Sequence, residues 1–181
     1  MKYFRNIWHQ SKQLGFNPVH WLGVGLGSGL VPVAPGTVGS AVAVLWAWFQ
    51  APLSLIIKLS IVAVAFVLGI FICQQTAKAL NQSDPGAVVW DEIVALVFVL
   101  ALVPPEWQWW LVAFLFFRLF DIVKPWPIRD LDHSLHNGLG IMLDDIMAAI
   151  YAVIATTLAN IIWITSIAKF FSKPLTDVDI F

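Results

Sequence analysis

The run from Leu53 to Cys73, LSLIIKLSIVAVAFVLGIFIC, carries a single charge, Lys58. It has the length of about 20 residues that a helix needs to cross bilayer hydrocarbon. A backbone in hydrocarbon must satisfy its own hydrogen bonds, so this segment is expected to be a membrane helix. Composition extends the inference to the whole chain. Hydrophobic residues make up 60 % and charged residues 12 % of 181 positions, with a mean hydropathy of +0.83, which excludes an ordinary soluble domain. We read an all-α, polytopic membrane helix bundle of about 4–5 membrane helices, forming one domain over residues 1–181. A net charge of -1 gives no attraction to nucleic acid. Cys73 is the only cysteine, so no intrachain disulfide forms, and its apolar surroundings mark it as a small core residue.

Taken in order, the chain begins with a basic, aromatic segment over 1–20 that includes Lys2, Arg5 and Lys12 and lacks the apolar core of a signal peptide. It suits an interfacial segment on the cytoplasmic side. Residues 21–40, WLGVGLGSGLVPVAPGTVGS, hold six of the eleven glycines and two prolines, so a loop is expected. The spacing meets neither nucleotide-binding fingerprint. Its exposed N–H groups, the hydroxyls of Ser28 and Thr37, and a helix N-capped by Thr37 would make an anion site. The same glycines also suit close helix packing.

The helix from Val38 to Gln50 and the helix from Leu53 form a hairpin interrupted by Pro52. The turn signal from Asn81 to Gly86 follows, with Ser83 or Asp84 expected to cap a third helix from about Ala87 to Val103 and Pro85 in its first turn. Seven residues from Asp84 at about 1.5 Å each place Asp91 roughly 10 Å along that helix, with Glu92 beside it. Pro104, Pro105 and Glu106 make the next turn; Trp107, Trp109 and Trp110 open a fourth helix ending near Val123, where Lys124-Pro125 stops it. Arg118 and Asp121 share a face of that helix. A last helix is expected from about Ile141 to Ile167, with Asp144 and Asp145 in its opening turns, followed by a tail over 168–181.

The segment from Phe117 to Asp145 concentrates five of the eleven acidic residues, Asp121, Asp130, Asp132, Asp144 and Asp145, with Arg118, Lys124 and Arg129 among them. Charges beside hydrocarbon are costly and call for a function. With a cytoplasmic N-terminus, the polar regions 23–40, 83–92 and 118–145 meet on the cytoplasmic face, although the last helix then leaves Lys169 and Lys173 outside. A re-entrant first helix would give four spans instead. Clustered carboxylates suit a hard ion such as Mg²⁺, which binds few carboxylates, keeps water and bridges to phosphate. Arg and Lys neutralise phosphate oxygens. His133 and His136 have a spacing that could fit a metal, but the surrounding carboxylates favour an oxygen-liganded ion and leave them as surface-loop residues. The parts therefore suit phosphoryl chemistry on a lipid; an ion or proton path in a transporter and a structural membrane protein are the other classes.

Three blocks in order, GLGSGLVPVAPGTVGS, DPGAVVWDEIVA, and FRLFDIVKPWPI followed by GLGIMLDD, resemble the phosphatidylglycerophosphatase A family from about Gly23 to Ala149. The resemblance implies a Mg²⁺-dependent enzyme of the bacterial cytoplasmic (inner) membrane that hydrolyses phosphatidylglycerophosphate to phosphatidylglycerol. It matches Asp91, Glu92, Asp144 and Asp145 to the acidic motif positions, and Arg118, Asp121 and Lys124 to the FRxFDxxKP-type block. On that reading the four acids hold the metal, and Asp121 is a further ligand or orients Arg118. Arg118 and Lys124 bind phosphate with Ser28, Gly29 and Thr37. Ala95 and Ala149 stand where glycine is expected. The partners implied are the lipid substrate and the bilayer; oligomeric state and selection among lipid phosphates stay open.

Overall fold

The computed structural model describes residues 10–128 and 137–171, with side chains through Ser166. Lys2, Arg5, Arg129, Asp130, Asp132, His133, His136, Lys173 and the side chain of Lys169 lie outside the described residues. Among those described, all regular structure is helical. After a helical stretch over 10–14 come α1 (Pro18–Gly23), a kinked 3-10 segment (Gly25–Leu30), α2 (Pro35–Gln50), α3 (Leu55–Ala79), α4 (Trp90–Leu102), α5 (Trp107–Val123) and α6 (Gly138–Phe171).

α4 is the centre of the bundle. Ile93 to Val97, Val99 and Leu100 are all buried, so this helix is apolar on every side, as expected of one enclosed by others. α2, α3, α5 and α6 pack around it, and α6 also packs along α3 and α5. Ala95 and Ala149 are both fully buried, which is where a glycine-to-alanine difference is felt as packing. The thiol of Cys73 is buried 3.7 Å from the thioether of Met142, consistent with a core role.

Two helices, Leu55–Ala79 and Gly138–Ser166, are long and apolar enough to cross a membrane. Only 22 % of each apolar window is buried, whereas a core helix of a water-soluble protein is mostly covered. Ile56, Val64, Val67 and Phe71 on α3, and Ile154, Leu158 and Ile161 on α6, present bare hydrocarbon outward.

Helix boundaries show where local signals prevailed. α5 spans the expected residues, because Pro104-Pro105 precedes it and Lys124-Pro125 closes it. α3 begins where Ser54 accepts from the Ile57 N–H and runs two turns beyond Cys73. The N-cap assigned to Thr37 is corrected: α2 starts at Pro35 behind a left-handed Ala34 (φ 48), and Thr37 lies inside the first turn. Proline fits that first position because its missing N–H has no helical partner there anyway. The Gly-rich stretch is correspondingly less loop than expected, being divided between the end of α1, the 3-10 segment and the start of α2.

The third helix also begins later than expected, at Trp90, so neither Ser83 nor Asp84 caps it and Pro85 lies outside it. A local turn bond and a tertiary bond hold the residues before Trp90 out of the helix. Val88 N–H donates to Pro85, and Val89 N–H donates to the Gly23 carbonyl. Asp91 and Glu92 therefore sit in the first turn of α4, not two turns within it. The last helix starts at Gly138, earlier than Ile141, because Asn137 accepts from the N–H groups of Leu139 and Gly140 and Gln74 accepts from Gly138.

Candidate active site

Three helices bring charge to one end of the bundle, and a fourth packs against it. α4 supplies Asp91 and Glu92 from its first turn, where the positive end of the helix dipole favours carboxylates. The last turns of α5 supply Arg118 and Asp121, and Lys124 ends that helix. The second turn of α6 supplies Asp144 and Asp145. Finally, the start of α2 lays Gly36 and Gly39 against Glu92.

Arg118 is the junction. Its Nη1 lies 3.0 Å from Glu92 Oε1 and 2.6 Å from Asp121 Oδ2, tying α4 to α5. Lys124 Nζ stands 2.6 Å from Asp144 Oδ2, tying the end of α5 to α6. These pairs are largely withdrawn from solvent, so each cation is worth more to its partners than an exposed ion pair would be. Lys124 holds its place with a left-handed backbone (φ 45) at a position that usually favours glycine. The side chain, not the turn, accounts for lysine there.

Five carboxylates face two cations in this cluster. Asp145 is within electrostatic reach of Asp121, Asp91, Asp144 and Glu92, and Asp91 of Glu92 and Asp144. Buried oxygens of Asp91 (Oδ1), Glu92 (Oε2) and Asp145 (Oδ2) have no hydrogen-bond partner. A buried carboxylate oxygen without a donor is costly, and a divalent cation would relieve both the desolvation and the mutual repulsion. The donor chemistry thus fits a hard cation, although among the described residues no group of three or more His, Cys, Asp or Glu is already drawn together as a metal site.

Backbone proximity explains several glycines that composition could describe only as a loop. Any side chain on Gly36 would run into the Glu92 carboxylate, and one on Gly29 into the Ala87 carbonyl. Ser28 Oγ donates to the Gly25 carbonyl at 2.8 Å and Gly29 N–H donates to Val24, so both donors are engaged within their own loop. Thr37 sits half-buried in the turn that carries Gly36. Sequence reasoning missed Gly36 and Gly39 as neighbours of Glu92, and Gln74 as the acceptor that fixes the start of α6. No local signal marks Gln74; its partner is 64 residues away.

Gly36→Ala gives opposite signs for local and tertiary effects. Helix propensity alone favours alanine by about 1 kcal/mol. Collision with Glu92 should outweigh it, costing about 1–3 kcal/mol and loosening the Arg118 pair. We expect a lower Tm and at least a tenfold lower turnover, with overpacking as the cause. A more stable, fully active variant would show that this approach is not tight.

Comparison with known proteins follows the same residues. The family described as Phosphatidylglycerophosphatase A matches residues 21–160. The chain is 51 % identical over 140 residues to phosphatidylglycerophosphatase A of Haemophilus influenzae, covering 76 % of this chain and 86 % of that protein. It is 42 % identical over 135 residues to phosphatidylglycerophosphatase A of Escherichia coli, covering 74 % and 78 %. A Bacteroides thetaiotaomicron protein provisionally named a phosphatidylinositol-3-phosphatase is 34 % identical over 157 residues, covering 82 % and 97 %. No solved structure matches. With the family match spanning the glycine segment, the acids of α4 and α6 and the Arg118–Lys124 block, the chain belongs to the phosphatidylglycerophosphatase A family.

Proposed function

We propose that this protein hydrolyses the terminal phosphomonoester of phosphatidylglycerophosphate, releasing phosphatidylglycerol and phosphate, as a multi-pass phosphoric monoester hydrolase of phospholipid biosynthesis in the bacterial inner membrane. The observation that carries this is the meeting of Arg118 and Lys124 with five carboxylates at one end of a bundle whose long helices are bare hydrocarbon outside. Relatives of matching length bear the name of that activity. The cluster at the cytoplasmic headgroup level would meet the lipid's phosphate while the flanking helices sit among its acyl chains.

Mg²⁺, when bound, supplies charge neutralisation at the phosphate and acidifies a water. Asp91, Glu92, Asp144 and Asp145 would hold it. Arg118 presents its guanidinium to the phosphate oxygens, and Glu92 and Asp121 fix the plane of that fork through the bonds already formed. Lys124 adds a second cation from the end of α5, oriented by Asp144. The first turns of α2 and α4 bring their N–H dipoles to the same place, which favours an anion there. Of the residues expected to help bind phosphate, Thr37 lies in that α2 turn, while Ser28 and Gly29 shape the loop beneath it. A transport path is less favoured, because the site's acids gather at one end and none lies midway along α3.

The test is phosphate release by the detergent-purified protein from phosphatidylglycerophosphate, phosphatidic acid and phosphatidylinositol 3-phosphate, each with Mg²⁺ and with EDTA. Metal-dependent release preferring the first lipid is expected. Preference for either other lipid reassigns the substrate, and release from none by folded protein overturns the hydrolase reading.

A further inference from the structure

An apolar groove of about 360 Å³ lies between α2 and α5, lined by Ala41, Val44, Trp107, Trp110, Leu111 and Phe114. It contains no member of the charged cluster, yet α5 also carries Arg118 and α2 also lays Gly36 against Glu92. On one wall Phe114 precedes Arg118 by a single turn, about 6 Å along the axis. On the other, Ala41 follows Thr37 by one turn on the same helix face, and Gly36 beside Thr37 lies against the Glu92 carboxylate. Glu92 and Arg118 are themselves bonded at 3.0 Å. The groove therefore begins about one helical turn from Arg118 along α5 and extends away from it to Trp107.

We infer that this groove holds one acyl chain of the lipid whose terminal phosphate lies at Arg118 and Lys124. The inference rests on the hydrolase reading for its substrate class and adds where the tail goes. In phosphatidylglycerophosphate a polar glycerol–phosphodiester–glycerol linker spans about two helical turns between the terminal phosphate and the acyl chains, and the seam between α2 and α5 is apolar at that distance from Arg118. A chain held there fixes the headgroup against rotation about its phosphate, so the groove contributes to orientation as well as affinity. It also favours a substrate with long chains over a short-chain or deacylated phosphate.

Two variants narrow the groove from opposite walls, Ala41→Phe on α2 and Leu111→Trp on α5. Both positions are exposed, so added bulk meets no core. Displacing two methylenes of the chain corresponds to about tenfold in affinity. The ratio of kcat/KM for dipalmitoyl over dibutyryl phosphatidylglycerophosphate, measured in mixed micelles, should fall by about that factor in each variant. An unchanged ratio, whether activity is intact or lost for both lipids alike, overturns the inference. A photoreactive diazirine placed in the acyl chain of phosphatidylglycerophosphate gives a readout independent of turnover. Label is expected on peptides containing Ala41 to Val44 or Trp107 to Phe114, competed by unlabelled phosphatidylglycerophosphate but not by phosphatidylcholine with the same chains. Equal competition by both lipids would mean that bulk lipid fills the groove and would overturn the proposal. Selective labelling without phosphate release would leave the groove standing while the hydrolase reading fails.

Discussion

Asp145→Asn is expected to reduce metal-dependent phosphate release by about a thousandfold while leaving the fold intact, a size typical of losing one electrostatic contributor to a transition state. The substitution keeps the shape of the side chain. What changes is one negative charge within reach of Asp121, Asp91, Asp144 and Glu92. In metal-free protein the loss of that charge relieves repulsion, so stability should hold or rise by about 1 kcal/mol, which is about 2–4 °C in Tm for a chain of this size. Adding Mg²⁺ should raise the Tm of the parent by mass action and shift the variant much less. Activity and stability thus move in opposite directions, which separates loss of a ligand from loss of structure. Near-normal release by Asp145→Asn, or an unchanged Mg²⁺ response in its Tm, would remove this residue from the metal role.

Arg118→Ala has the second large effect and the opposite signature. Removing the guanidinium leaves Glu92 and Asp121 as largely buried, uncompensated charges, since Arg118 is the hydrogen-bond partner of both. Breaking a buried pair in this way costs about 3–5 kcal/mol, so the Tm should fall along with activity. Arg118→Lys keeps the charge but not the planar fork. It should recover most of the stability, yet remain at least about tenfold below the parent in kcat/KM, because a point charge cannot hold phosphate and both carboxylates in the same plane. Full activity in the lysine variant would reduce Arg118 to a source of charge. Full activity in the alanine variant would exclude it from phosphate binding.

The bundle itself was legible in the residues. Apolar runs bounded by proline and turn signals mark α3 and α5, and the bounds of α5 agree because Pro105 and Pro125 act locally on the backbone. The charged residues of the site could be named for a similar reason: ionisable groups among hydrocarbon are rare enough that each draws attention. Their pairing could not be read. Arg118 was expected beside Asp121, three residues away on one helix face, but its bond to Glu92 crosses 26 residues and two helices.

The sequence by itself therefore determined the helical class, the apolar exterior and the inventory of charges, since each follows from local propensity and from the cost of polar groups in hydrocarbon. Tertiary structure alone decided where α4 begins and which glycines face the acids. Val89 N–H finds its acceptor in Gly23, and this bond helps to hold the residues before Trp90 out of the helix. Gly36 reads locally as one more helix-weakening residue, and only the packing of α2 on α4 makes its missing side chain the space that Glu92 occupies. Contacts between residues so distant in the chain depend on how the helices pack, and no single segment encodes that.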